Sequence, residues 1–174
     1  MRARRSSSEI VMIALLGSLS FFCAPAGAQL GVDGLQAEFD RETDPVHKAK
    51  KIHKLGDAQF QEAYRAGDAE DYDAVAKWME SYRDNVKAAL AALKAANPDA
   101  ERHPNGYKQL EIYLRKSLRA LEETILVTPE SYRSRLESLR KGLIAVEDEL
   151  STALFPRRPD KGPGKAPEKI PEKP

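Results

Sequence analysis

Any chemistry in this chain would fall to few residues. The three histidines, His47, His53 and His103, are the starting point for metal binding or proton transfer. His47 and His53 stand six positions apart, about 240° around a helix axis, so one face cannot offer both to a metal. Asp44 and His47 have the i,i+3 spacing of a ligand pair, but Asp44 directly precedes Pro45 and is better used as a helix cap. No Glu-x-x-His pair is present for a di-iron bundle, and no Cys-x-x-Cys-His for haem. Ser81, Ser117, Ser131, Ser134, Ser138 and Ser151 fall in helical patterns without a nucleophile elbow, and glycine-rich phosphate loops are absent. His103-Pro104-Asn105-Gly106 is the one polar loop that could hold a ligand, and the same residues serve equally as a turn between helices. The expectation is a non-enzymatic protein with no catalytic, cofactor-binding or metal residues. The competing reading is a small metal-binding or enzymatic helical protein using His103 and nearby carboxylates.

The elements that would position such residues read as helices throughout. Apolar residues recur with a period near 3.6, and no alternating β-branched stretch interrupts them. Residues 29–43 carry only Leu35 and Phe39 as a short apolar set and read as a loose lead-in or one short helix. Asp44-Pro45, a cap followed by proline at the first helical position, opens a helix expected over 45–65 and stopping at Ala66-Gly67-Asp68. Gly56 inside it implies either a close helix crossing or a break with Asp57 as a new cap. The next helix spans about 71–96 and ends at Asn97-Pro98, a third covers about 107–127, and Thr128-Pro129 opens a fourth over about 129–155. Four striped helices can bury their stripes only against one another, which predicts an all-α domain over 45–155. Its architecture is either an antiparallel four-helix bundle or stacked helical hairpins.

The two ends differ in composition. Arg2, Arg4 and Arg5 precede the apolar run 10–22, and Ala26-Gly27-Ala28 supplies a small-x-small cleavage site, so residues 1–28 read as a signal peptide. The run is too short for the ~20 residues of a membrane-spanning helix. Phe22 before Cys23 argues against lipid attachment, and cleavage before Gln29 would remove the only cysteine. Subtracting three arginines and Glu9 from 28 basic and 27 acidic residues leaves 25 against 26, so no bulk attraction to nucleic acid follows. Residues 156–174 are rich in proline and lysine with Ile170 as the one large aliphatic side chain, the composition of a disordered tail.

Leu55-Gly56-Asp57-Ala58-Gln59-Phe60, followed by Gly67-Asp68 and Asp71-Tyr72-Asp73-Ala74-Val75-Ala76, resembles a tetratricopeptide-like helical hairpin, in which Leu-Gly opens one helix and a Gly/Asp turn precedes an alanine-rich second. More broadly, the segments from Phe39 to Pro45, Leu55 to Phe60, Asn105 to Ile112 and Leu114 to Arg119 resemble exported helical proteins of environmental bacteria. That resemblance implies export and a helical fold, and brings no activity with it.

With strong stripes and little chemistry, the leading expectation is a periplasmic or secreted protein that binds or scaffolds another envelope protein or a peptide. Trp78, Tyr82 and Tyr113 are the candidate protein-binding residues, lining a groove if the helices stack as hairpins. The basic groups Lys48, Lys50, Lys51 and Lys54, Arg115, Lys116 and Arg119, and Arg133, Arg135, Arg140 and Lys141 read as solvated faces laced with i,i+4 pairs.

Overall fold

The computed structural model describes residues 31–156. The segment expected to be a signal peptide and all but the first residue of the expected tail lie outside the described residues. Five helices are present among these, α1 (Val32–Arg41), α2 (Pro45–Asp68), α3 (Tyr72–Ala96), α4 (Asn105–Val127) and α5 (Glu130–Leu154), and the described part of the protein is all-α.

The packed unit begins earlier than Pro45. Residues 32–41 form the short helix α1, which buries Leu35 and Phe39, and Lys48 lies over the Phe39 ring at 4.7 Å. Gln36 and Asn85 exchange side-chain hydrogen bonds of 2.8 and 3.0 Å, tying α1 to α3 as well. At the start of α2 the Asp44 carboxylate accepts the His47 N–H at 2.7 Å, and Pro45 occupies a position whose N–H has no partner in any helix. α2 then runs unbroken through Gly56. A Cβ there would stand 2.8 Å from both the Tyr113 hydroxyl and Tyr82 Cε2, so of the two expectations for this glycine the close crossing is the one observed.

α2 ends at Asp68, within the expected stop. Gly67 stays helical, and the reversal is made at Glu70, whose φ of 59° is the left-handed region that glycine normally fills. The Glu70 and Asp71 N–H groups donate to the Gly67 and Ala66 carbonyls at 2.9 Å each, and the Asp71 carboxylate accepts the Ala74 N–H to open α3. The α3–α4 connection is secured by the Tyr107 hydroxyl, which donates to the Asn97 carbonyl at 2.7 Å. Gly106, buried in the first turn of α4, leaves no room for a Cβ, which would collide with Leu93 and stand 3.4 Å from the Val46 Cα. Thus the Asn105-Gly106 pair works as the tightly packed start of a helix rather than as a turn.

α2 packs on α3 and α4, α5 packs on α4 and α3, and α3 also touches α4, whereas α2 and α5 do not meet among the described residues. Gly106 beside Val46 at one end, and Val127 sharing a cleft with Gly67 at the other, make α2 and α4 parallel. Arg135 reaching Glu80 and Asp73, with Lys94 paired to Glu149, does the same for α3 and α5. Their common core holds Ile52, Leu55, Met79, Val86, Leu110, Leu114, Leu121 and Leu143, at about 1.5–3 kcal/mol of transfer free energy per large side chain. Many of the charges expected to pair along one helix instead bridge two. Arg135 binds Glu80 through two bonds of 2.8 and 2.9 Å, Arg115 reaches Glu147 at 3.0 Å, and Arg140 reaches Glu122 at 3.4 Å. No described helix is long and apolar enough to cross a membrane.

Candidate docking surface

The expected aromatic groove is not formed. Tyr82 is fully buried, its ring edge-on to Phe60 at 5.2 Å, and Tyr113 is also interior, so neither presents its face to a partner. The reason is Gly56: with no side chain on α2 at this point, both rings from α3 and α4 close over its backbone. Trp78 is half-buried against the core on α3. Burial raises the pKa of both tyrosines, Tyr82 most simply, and the neighbouring Asp57 carboxylate adds to it.

Around Tyr113 the helices assemble a polar cluster. Its hydroxyl donates to Asp57 Oδ1 at 3.1 Å, Lys116 Nζ lies 3.4 Å from the same oxygen, and His53 Nδ1 lies 3.5 Å from Asp57 Oδ2. The His53 and Tyr113 rings are tilted together at 4.7 Å. Asp57 is thus not a cap but a junction between α2 and α4, and a cleft of about 340 Å³ with Phe60 and Tyr64 opens beside it. Behind it, Ser117 donates to the Tyr113 carbonyl at 3.0 Å, which engages this serine with its own helix backbone. His103 is exposed in the α3–α4 loop, and no group of three or more His, Cys, Asp and Glu able to hold a metal occurs among the described residues.

Among the described residues, four of the six exposed large apolar side chains lie at the end where α2 and α4 finish and α3 and α5 begin, the other two being Ile112 in α4 and Phe155 after α5. Tyr64 is 44% exposed, Leu126 71%, Val127 80% and Tyr132 42%. Tyr64 and Tyr132 belong to the apolar stripes but sit at their edges, where no described helix covers them fully. Tyr72 stacks obliquely on Tyr132 at 5.2 Å, and a cleft of about 360 Å³ lined by Tyr64, Tyr72, Val75 and Val127 joins the two sides. A separate cleft of about 260 Å³ between α4 and α5 is lined by Ile125, Leu126, Glu137, Arg140 and Lys141. Arg133 stiffens this end by donating to the Thr128 carbonyl at 2.8 Å and the Leu126 carbonyl at 3.3 Å, which would otherwise be free at the C-terminus of α4.

Periodicity assigns Tyr64 and Tyr132 to the buried stripes and passes over Leu126 and Val127, so none of the four is marked as a surface residue by sequence pattern. The signal that could have found them is the doublet Leu126-Val127, which follows Ile125 and cannot all point inward from one helix. No family model, curated protein or solved structure matches this chain.

Proposed function

We propose that the protein is an exported, non-enzymatic helical protein that binds or scaffolds another protein of the periplasm or cell envelope, through the surface formed by Tyr64, Leu126, Val127 and Tyr132. The observation that carries this reading is the concentration of exposed apolar side chains at one rigid end of the helices. Four of the six exposed large apolar side chains among the described residues lie there, and grouped rather than scattered apolar exposure supports a contact site. Two helical hairpins, α2–α3 and α4–α5, stacked with α2 along α4 and α3 along α5, form the scaffold. Support for this arrangement comes from the α3–α4 contact and the two parallel pairings. Export rests on residues 1–28 with their basic start, apolar run and Ala26-Gly27-Ala28 site.

A photo-crosslinking residue at Val127, compared with one at the exposed Ala88 on α3, tests the binding reading in the cells that make the protein. A discrete protein adduct from position 127 and none from position 88 supports it; no adduct from 127, or identical adducts from both, overturns it. Intact mass of the envelope-borne chain tests export. A start at Gln29 without lipid is expected, and an uncleaved chain contradicts it.

A further inference from the structure

The surface described above carries a charge as well as an apolar face. Residues 61–79 and 120–137, the two hairpin turns with their flanking helix ends, hold nine Asp and Glu against four Lys and Arg, a balance of −5. Arg140, paired with Glu122, and Lys141 line the cleft beside Leu126, and counting them leaves the balance at −3. Three of the four cations are already engaged: Arg65 with Glu62, Arg133 with Glu130, and Arg135 with Glu80 and Asp73. Asp68, Glu70 and Glu123 are exposed and form no ion pair among the described residues. Asp68 lines the cleft shared by Tyr64 and Val127, and Glu123 stands one helical turn before Leu126 and Val127 on α4.

Resting on the reading of this end as the docking surface, we propose that its occupant is a cationic segment of a partner protein, carrying apolar side chains between lysines or arginines. The apolar anchors enter the clefts beside Val127 and Leu126, and the basic side chains meet Asp68, Glu70 and Glu123 at the rim. Charge complementarity of this kind raises the association rate and rejects acidic partners, while the apolar contacts hold the complex. A two-fold dimer through the same surface would set one negative end against another, which disfavours a second copy of the chain as occupant.

Titration of the purified chain with a short synthetic peptide of alternating leucine and lysine, and with the leucine–glutamate counterpart, separates the possibilities. The lysine peptide is expected to bind about tenfold or more tightly than the glutamate peptide, with the gap narrowing as salt is raised. Asp68→Asn with Glu123→Gln should close much of that gap, and Leu126→Ser with Val127→Ser should weaken the lysine peptide about tenfold. Equal binding of both peptides, lost with the serine pair, overturns the charge inference and leaves the docking surface standing. A lysine peptide that does not bind, or that binds the serine pair undiminished, overturns the inference, and the photo-crosslink from position 127 then decides the broader reading separately. Concentration-dependent self-association of the chain, abolished by the serine pair, makes a second copy the occupant and likewise overturns it.

Discussion

Substituting Gly56 by alanine opposes two effects of known size. In a helix interior alanine is favoured over glycine by about 1 kcal/mol, through lower unfolded-state entropy and better-shielded backbone. At position 56 the new methyl would lie 2.8 Å from the Tyr113 hydroxyl, 2.8 Å from Tyr82 Cε2 and 3.0 Å from Tyr113 Cε1. Both rings must give way, yet Tyr82 is fully buried and Tyr113 is held by Asp57 at 3.1 Å. Overpacking of this kind costs about 1–3 kcal/mol, so Gly56→Ala should destabilise by roughly 1 kcal/mol net, lowering Tm by about 4 °C for a domain near this size. Gly67 is the internal control: it lies in the same helix, its nearest neighbour would be Val75 Cγ2 at 3.8 Å, and its φ is not positive. Gly67→Ala should therefore raise stability by up to about 1 kcal/mol. Urea melts of the two variants, read by far-ultraviolet circular dichroism, should move in opposite directions. A stabilising Gly56→Ala would refute the close crossing of α2 by Tyr82 and Tyr113.

Other expectations follow from single residues. Glu70→Gly, at the φ of 59°, should raise Tm by a few degrees, because relief of about 1–2 kcal/mol of left-handed strain exceeds the entropy that glycine adds to the unfolded chain; an unchanged or lower Tm contradicts that backbone geometry. Arg135→Ala should cost about 0.5–1 kcal/mol in low salt and less in high salt, and Arg135→Lys should restore only part of it, since lysine cannot bind both Glu80 oxygens in parallel; full rescue by lysine counts against the paired bonds. The Glu42 pKa is held below its usual value, first by the Asp44 N–H and then by Lys51. A lowered carboxylate pKa contributes stability above its unfolded value near 4.5 that is lost as pH falls through the lower folded value. Amide exchange at the α1–α2 junction should accelerate on acidification through that range in the parent and respond less in Glu42→Gln.

The legible parts of the fold were those with two agreeing signals. Asp44-Pro45, Asn97-Pro98 and Thr128-Pro129 punctuate long stripes, and α2, α3, α4 and α5 lie where these predict. α1 was harder to read because ten residues with two buried side chains make a weak period, and its Gly31 cap offers no side chain. The stop of α2 at Ala66-Gly67-Asp68 is legible, but its detail is not: pairing of the Glu70 and Asp71 N–H groups with the Gly67 and Ala66 carbonyls places the left-handed residue at Glu70 and not at Gly67. At the site, periodicity marks Tyr82 and Tyr113 as apolar-face residues but says nothing of what lies opposite. Only the absence of a side chain at Gly56 shows that both are swallowed. His53 and Asp57 have i,i+4 spacing in the sequence, and the partners that make them a cluster, Tyr113 and Lys116, come from a helix more than fifty residues away. The apolar end is a product of tertiary arrangement, because helix ends far apart in sequence must meet before Tyr64, Tyr72 and Val127 share a cleft and Tyr72 stacks on Tyr132.

The central claim, that this end binds a partner rather than supporting the fold, is tested by measuring stability and partner capture together in Leu126→Ser, Val127→Ser. These side chains are 71% and 80% exposed, so Tm should stay within about 2 °C of the parent, as surface substitutions usually do. In the same variant, the adduct formed from a photo-crosslinking residue at Tyr132 should fall about tenfold or more. Undiminished capture with an unchanged Tm, or a Tm lowered by many degrees, would contradict the account.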